Sequence, residues 1–278
     1  MIEREHFSKT FKPDLHVAAL GISRDEWYCH KPGMTKEEVK QTMVTKRYDV
    51  VPIINNQGIP TSYFYLKNFN QPDEIVINKI LPEDRLYYLT NVRDAIWKMA
   101  SDQRSFYFLT NGRNVNDMVG LFTLSDFNCR EFYVFVFNLI SYVEREFGQI
   151  ITLSKEVAIN ELEKLAQNNV PLTEQLKLIK DRISEDEAKN IENDYKEYLY
   201  LHHLISLVKI ENKYKDLGYK HGDDFENGTS YLRAIRNNIA HPVKSLVKDL
   251  AGLSDLEKGI NKLYEFKLKL DDFTKLKM

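Results

Sequence analysis

The chain has 278 residues, 43% hydrophobic and 29% charged, with 39 basic against 41 acidic side chains and a net charge of −2. At roughly 100–200 residues per domain this suits two domains with ordinary cores. The charge balance excludes a grip on nucleic acid by the whole surface but leaves room for a local basic patch. Cys29 and Cys129 are the only cysteines; they show no metal-ligand spacing and are too few for a disulfide framework, so a reducing, cytoplasmic setting is expected. The charged opening stretch MIEREHFSKTFKPDLH lacks the apolar core of a signal peptide. The most apolar run, Phe132 to Val143, is too short to span a bilayer, so no membrane partner is expected.

The first 125 residues read as alternating helix and strand. Thr35 caps a helix that runs on through Met43, with Glu38 three residues later completing a capping box. DVVPII, Asp49 to Ile54, is a β-branched strand; Asn55, Asn56 and Gly58 supply a turn, and TSYFYL is the returning strand. The order then repeats about sixty residues on: Leu89 and Thr90 lead into a helix over Val92 to Met99, SFYFLT is a strand, Asn111 to Asp117 a loop, and MVGLFTL a strand. Such repetition suggests an internal duplication.

From Asp126 the apolar period becomes helical. Helices are expected over Phe127–Leu153, Lys155–Asn168, Thr173–Ile183, Glu187–Leu217, Gly228–Leu250 and Ser254–Phe273, with Thr173 before Glu174 and Ser184 before Glu187 as start signals. KYKDLGYKHGDDFENG reads as a loop between two long helices. The aromatic run FYVFVF reads as bundle core, and of His202 and His203, set between apolar residues in YLYLHHLISL, at least one is expected to be packed there.

Two constellations carry chemistry. The first is GLFTLSD, with Gly120, Thr123 and Asp126 at i, i+3 and i+6. A glycine lets backbone approach a ligand, a threonine near a helix start meets a phosphate, and a carboxylate accepts both hydroxyls of a ribose. The same residue types equally suit a plain helix cap. In its repeat order and its GLFTLSD close the chain resembles the CBS-domain family over about residues 15 to 130. The resemblance implies a pair of repeats that senses an adenine nucleotide or S-adenosylmethionine, with ribose and phosphate contacts at Thr123 and Asp126. In the first repeat the glycine is read as Gly58 and the threonine as Thr61, and Phe64 stands at the acidic position, so one ligand site is expected, on the second repeat.

The second constellation is SYLRAIRNNIAHPVKSLVK. Leu232, Ile235, Ile239, Val243 and Leu246 form an apolar stripe, while Arg233, Asn237 and His241 share another face and Arg236 swings toward it. Pro242 predicts a kink at His241. These residue types suit phosphodiester cleavage without a metal: a histidine moves protons near neutral pH, an arginine holds the phosphate, and the RNA 2′-hydroxyl is the nucleophile. A solvated helix face accounts for the same spacing, and a further Arg-to-His spacing, Arg24 and His30, lacks any amphipathic frame. RNNIAHP, late in an all-helical segment, resembles the HEPN superfamily, whose motif is Arg, a polar residue, then His. The resemblance implies a composite site in a homodimer, with Arg236 and His241 catalytic, Asn237 in support, and Glu144 or Glu146 as the acidic residue of the long opening helix.

The expected architecture is therefore an α+β tandem CBS-like module over residues 1–125 followed by an all-α HEPN-like bundle over 126–278. The expected function is ligand-regulated endoribonuclease, with Arg233 and Lys244 as further RNA contacts and no cofactor for catalysis. A role in stress or phage defence rests on analogy. The competing readings are a non-catalytic sensor or adaptor that dimerises and binds RNA or protein, and a toxin half held by an antitoxin partner.

Overall fold

The computed structural model describes residues 15–66, 75–167, 169–240 and 245–276. Two compact units emerge, Met1–Tyr133 with Ser245–Glu257, and Val134–Lys244 with Lys258–Met278. Described elements of the first run β1 (Ile22–Ser23), α1 (Lys36–Lys46), β2 (Val50–Ile54), β3 (Pro60–Leu66), β4 (Ile75–Lys79), β5 (Arg85–Tyr87), α2 (Val92–Asp102), β6 (Phe106–Thr110) and β7 (Met118–Thr123). Thr35 caps α1 as expected: its hydroxyl accepts from the Glu38 N–H at 3.2 Å while Glu38 accepts from the Thr35 N–H at 2.7 Å. Asn91 caps α2 by accepting from the Arg93 N–H at 2.9 Å. Three strands were not expected from the sequence: β4, and the short β1 and β5 of two and three residues. Each lies at a sheet edge, and for β1 and β5 few residues suffice because one neighbour fixes the strand.

The duplication is visible in the backbone. The caps Thr35 and Asn91 are equivalent, as are the left-handed helix ends Arg47 (φ 57°) and Gln103 (φ 52°). The β2–β3 and β6–β7 hairpins each carry an irregularity at the same step, Ile53/Ile54 and Leu109/Thr110. The Leu66 N–H donates to the Asp49 carbonyl and the Leu124 N–H to the Ser105 carbonyl, both at 2.9 Å. Each hairpin also has a parallel neighbour on one edge, the His30–Ile53 bridge in one and β5 on β6 in the other. On its opposite edge each has an antiparallel one, β4 on β3 and β1 on β7. The fourth strand of the second sheet thus comes from ahead of the first repeat. In this register Gly120 and Thr123 correspond to Ser62 and Tyr65, not to Gly58 and Thr61. The counterpart of Asp126 is residue 68, outside the described residues. The extra length of the β6–β7 loop shifts the pairing, and spacing alone does not reveal it.

Alternation along the strands builds two packed layers. Val50 and Tyr63 meet Phe106 and Phe108 in one core cluster, with Tyr63 5.2 Å from Phe106 and 5.5 Å from Phe108, ring centre to ring centre. Val51, Phe64 and Leu66 face α1 through Val39 and Met43. One pair of equivalent positions has diverged in kind. Tyr28 and Tyr48 lie 6.0 Å apart as rings in the first repeat, whereas Asp84 and Arg104 form an ion pair in the second.

The second unit is built from helices. The helical elements of the later chain are α3 (Arg130–Ile150), α4 (Lys155–Ala166), α5 (Val170–Ala188), α6 (Leu201–Ile210), α7 (Gly222–Ala240) and α8 (Leu250–Leu276). Phe147 of α3 meets Phe225 of α7 at 6.0 Å and Phe266 of α8 at 5.6 Å, all three fully buried. Within FYVFVF, Phe132, Phe135 and Val136 are buried as expected, while Val134 and Phe137 are exposed. His203 is fully buried and His202 half-buried. Among the described residues no helix is long and apolar enough to cross a membrane.

Four boundaries differ from expectation. Helix α5 starts at Asn169, which accepts from the Leu172 N–H at 3.2 Å and has Pro171 in the first turn, so Thr173 and Ser184 lie inside it. The expected helix Glu187–Leu217 is broken: Asn190 takes φ 55°, Ile191 N–H closes onto Asp186, and regular helix resumes only at Leu201. The expected loop Lys213–Gly228 is helical from Gly222, where Asp223 and Asp224 in the first turn suit the positive helix end. The expected helix Gly228–Leu250 ends at Ala240 among the described residues, and 245–249 is not helical, so Leu246 leaves the apolar stripe. Pro242 and Val243 lie outside the described residues.

Candidate functional site

Thr123 ends β7 and Asp126 sits three residues on, in a 3-10 turn over Leu124–Asn128. The Thr123 N–H donates to Asp126 Oδ2 at 2.6 Å, its hydroxyl lies 3.2 Å from the same oxygen, and it lies 2.6 Å from the Ser125 hydroxyl. The arrangement is a capping box closed on itself. Asp126 is 8% exposed, and burial pushes its carboxyl up to about 6 against the pull of the Thr123 hydrogen bonds, with Asp49 adding a smaller push. Asp49, half-buried and bonded to Ser105, is also held above its ordinary range by desolvation. Two carboxyls of high proton affinity therefore lie near one another where the repeats meet.

Gly120 has a different partner. A Cβ on it would lie 2.5 Å from the Ile22 carbonyl oxygen, so the missing side chain admits β1 to the edge of β7. Arg24, just beyond β1, donates to the Gly58 carbonyl at 2.5 Å and to the Met118 carbonyl at 3.4 Å, which ties the two repeats' loops together. It borders a cavity of about 360 Å³ with Ser23, Asp25, Asn111, Asn116, Asp117, Met118 and Val119. Thr123 and Asp126 are not among its lining residues.

In the helical unit, α7 carries Arg233, Arg236 and Asn237 on successive turns. Arg236 Nε lies 3.9 Å from Glu144 Oε1 of α3. Burial raises the Glu144 carboxyl while Arg236 pulls it down. Glu146 is buried and paired with Arg145 at 3.0 Å. Asn237 is exposed. His241 and Lys244 lie outside the described residues.

The structure adds His202, one of the two histidines of which at least one was expected in the core. Its imidazole is half-buried beside α7. Burial lowers its proton affinity, and the charges of Arg236 and Arg233 lower it further, leaving it neutral at pH 7. It stacks on Tyr200 at 6.0 Å and 14°. His202, Ser206 and Lys209 fall at i, i+4 and i+7, one face of α6, and that polar stripe was the legible signal. They line a cavity of about 400 Å³ with Arg233 and Glu226 of α7 and with Asn169, Pro171, Leu172 and Gln175 at the start of α5; Ile205 completes the lining. His203, its neighbour, is a core residue: burial holds it neutral down to about 3, and its Nδ1 accepts from the Tyr200 N–H at 3.3 Å.

No family model matches the chain, and no curated protein does either. Solved structures similar to it include CBS domains. That of the bacterial CNNM/CorC family Mg2+ transporter in complex with ATP is 14% identical, with a TM-score of 0.34, and the match covers 47% of this chain and 97% of that one. A hemolysin-like protein containing a CBS domain, from Oenococcus oeni PSU, is 11% identical at a TM-score of 0.33, over 43% of this chain and 93% of that one. CBSX2 in complex with AMP is 13% identical at a TM-score of 0.30, over 40% and 92%. Each likeness extends over less than half of this chain, while the duplication in the α/β unit rests on the chain's own caps, irregular steps and strand order.

Proposed function

We propose that the tandem α/β repeat is a CBS-like sensor of an adenosine-containing ligand and that the helical unit is an RNA-cleaving, HEPN-like device under its control. In this reading Arg236 binds the scissile phosphate, His241 carries the proton, Asn237 orients them, and Arg233 and Lys244 hold neighbouring phosphates. The RNA 2′-hydroxyl attacks phosphorus, the bond to the 5′-oxygen breaks, that oxygen takes a proton, and a cyclic phosphate remains. Two copies of the chain would supply the separate base and acid, since one histidine serves one side of the phosphate at a time.

The observation that supports the cleavage reading is the convergence of Arg233 and Arg236 on one flank of α7, where both charges act on His202 and, among the described residues, Arg236 pairs only with the partly buried Glu144 at 3.9 Å. An arginine so weakly paired is available to a phosphate. The test is incubation of the purified chain with mixed RNA in EDTA. Cleavage should fall about a hundredfold or more in Arg236→Ala and in His241→Ala; undiminished cleavage in both removes the proposed site.

For the sensor, AMP, ATP and S-adenosylmethionine are the probes, and a rise in Tm that shrinks in Asp126→Ala is expected; no rise with any of them leaves the α/β unit as scaffold. One observation favours a second reading, a toxin half in which an antitoxin partner, not a nucleotide, sets activity. Thr123 and Asp126 already satisfy each other in the capping box, so a ribose must displace that bond to use the carboxylate.

A further inference from the structure

We propose that the cavity between α5, α6 and α7 is a binding site for a phosphorylated nucleoside, taken either as a free nucleotide or as one unit of an RNA strand. The proposal shares Arg233 with the RNA reading above but does not depend on cleavage.

The cavity, about 400 Å³, falls within the range that encloses small ligands. Its polar groups converge by type. Arg233 offers a guanidinium with no ion pair within 4 Å among the described residues, and Lys209 an ammonium. The His202 imidazole adds a short-range donor, and the Ser206 hydroxyl, which donates to the His202 carbonyl at 2.9 Å, keeps its oxygen as an acceptor. The start of α5, a helix of 19 residues, contributes the positive end of its dipole on the same side. Pro171, Leu172 and Ile205 add apolar lining that a flat base can cover, and the amides of Asn169 and Gln175 can meet a base edge. Asn169 spends its oxygen on the Leu172 N–H and keeps its amide donors. Groups suited to a phosphate and groups suited to a base therefore line one cavity.

Glu226 sharpens the argument. It is the single acid among the lining residues and lies 2.5 Å from Lys209, whose other acidic neighbour, Asp223, lies 3.8 Å away. Glu226 thus holds one of the two cations in the position a phosphate oxygen would take. An arriving phosphate has to compete with that carboxylate and suffers its repulsion. Loss of the Glu226 charge therefore favours binding, whereas loss of the Arg233 charge opposes it.

That opposition supplies the test. The full chain is titrated at low salt with AMP by calorimetry and with a labelled polyuridine decamer by anisotropy. For whichever probe binds, Arg233→Ala should weaken affinity about tenfold and Glu226→Gln should tighten it about threefold. A gain of affinity cannot come from misfolding. Binding of AMP in this pattern assigns the site to a free nucleotide, and binding of the decamer alone assigns it to RNA. Failure of both probes to bind at millimolar concentration overturns the proposal, as does binding that ignores both substitutions. The nuclease reading fails separately, through undiminished cleavage by Arg236→Ala.

Discussion

Asp126 has a proton affinity that costs the folded state stability at neutral pH, and Asp126→Asn should recover it. Burial lifts the carboxyl to about 6, from about 3.9 in an unfolded chain. A shift of about two units corresponds to about 3 kcal/mol. The sign follows from proton counts. Between the two values the folded state holds a proton that the unfolded state has lost, so the contribution is fully present below about 4 and disappears as pH rises through about 6. The amide oxygen of asparagine can still accept from Thr123, so the cap survives the substitution. Asp126→Asn should therefore stabilise the α/β unit by about 2–3 kcal/mol at pH 7.5 and hardly at all at pH 4. Urea denaturation followed by tryptophan fluorescence reads this unit alone, because both tryptophans, Trp27 and Trp97, belong to it. A gain equal at both pH values, or a loss at pH 7.5, would refute the assignment of the shift to burial of charge.

Three further outcomes are expected. Gly120→Ala drives a methyl group against the Ile22 carbonyl and should cost about 1–3 kcal/mol in the same fluorescence assay, through loss of the β1–β7 edge. Asp84→Ala strands Arg104 beside Tyr107 and should cost about 2 kcal/mol, reduced from the full buried-pair figure because Arg104 is partly exposed. The double change Asp84→Tyr with Arg104→Tyr, which copies Tyr28 and Tyr48, should recover most of that, and a double-mutant cycle measures how much. Gly259→Ala on α8 sets a Cβ into the side chain of Ile235 on α7, and circular dichroism melts should show a loss of about 1–3 kcal/mol that spares the tryptophan signal.

Long, strongly patterned elements were legible in the sequence. The capping box at Thr35, the hairpin at Asn55 to Gly58 and the strands around SFYFLT and MVGLFTL all carry their signals within a few residues, and the structure places them there. Edge strands of two or three residues carry no period of their own. Ile22–Ser23 becomes a strand only because Gly120 leaves room for it almost a hundred residues later. Local cues also misled where another cap competed: Thr173 and Ser184 resemble helix starts, but Asn169 with Pro171 starts the helix earlier and absorbs them. At the sites, helical spacing placed Arg233 and Arg236 on one helix, whereas the choice of Glu144 over Glu146 as the neighbour of Arg236, and the association of His202 with Arg233, depend on how helices cross. The histidine's apolar neighbours in sequence hid its half-exposed side.

The Asn128 side chain donates to the Val247 carbonyl at 2.8 Å and accepts from the Val247 N–H at 3.1 Å, so a residue near the end of the tandem repeat is completed by one that follows the whole of α7. During synthesis the α/β unit must wait for about half the chain before this last clasp can close, and β1 waits nearly as long for β7. No single cut releases either unit with all its own pieces. A proteolytic nick in the helical segment would still leave Val247 seated, whereas truncation anywhere before it would leave Asn128 bare. Limited digestion should then yield fragments that stay together until denatured.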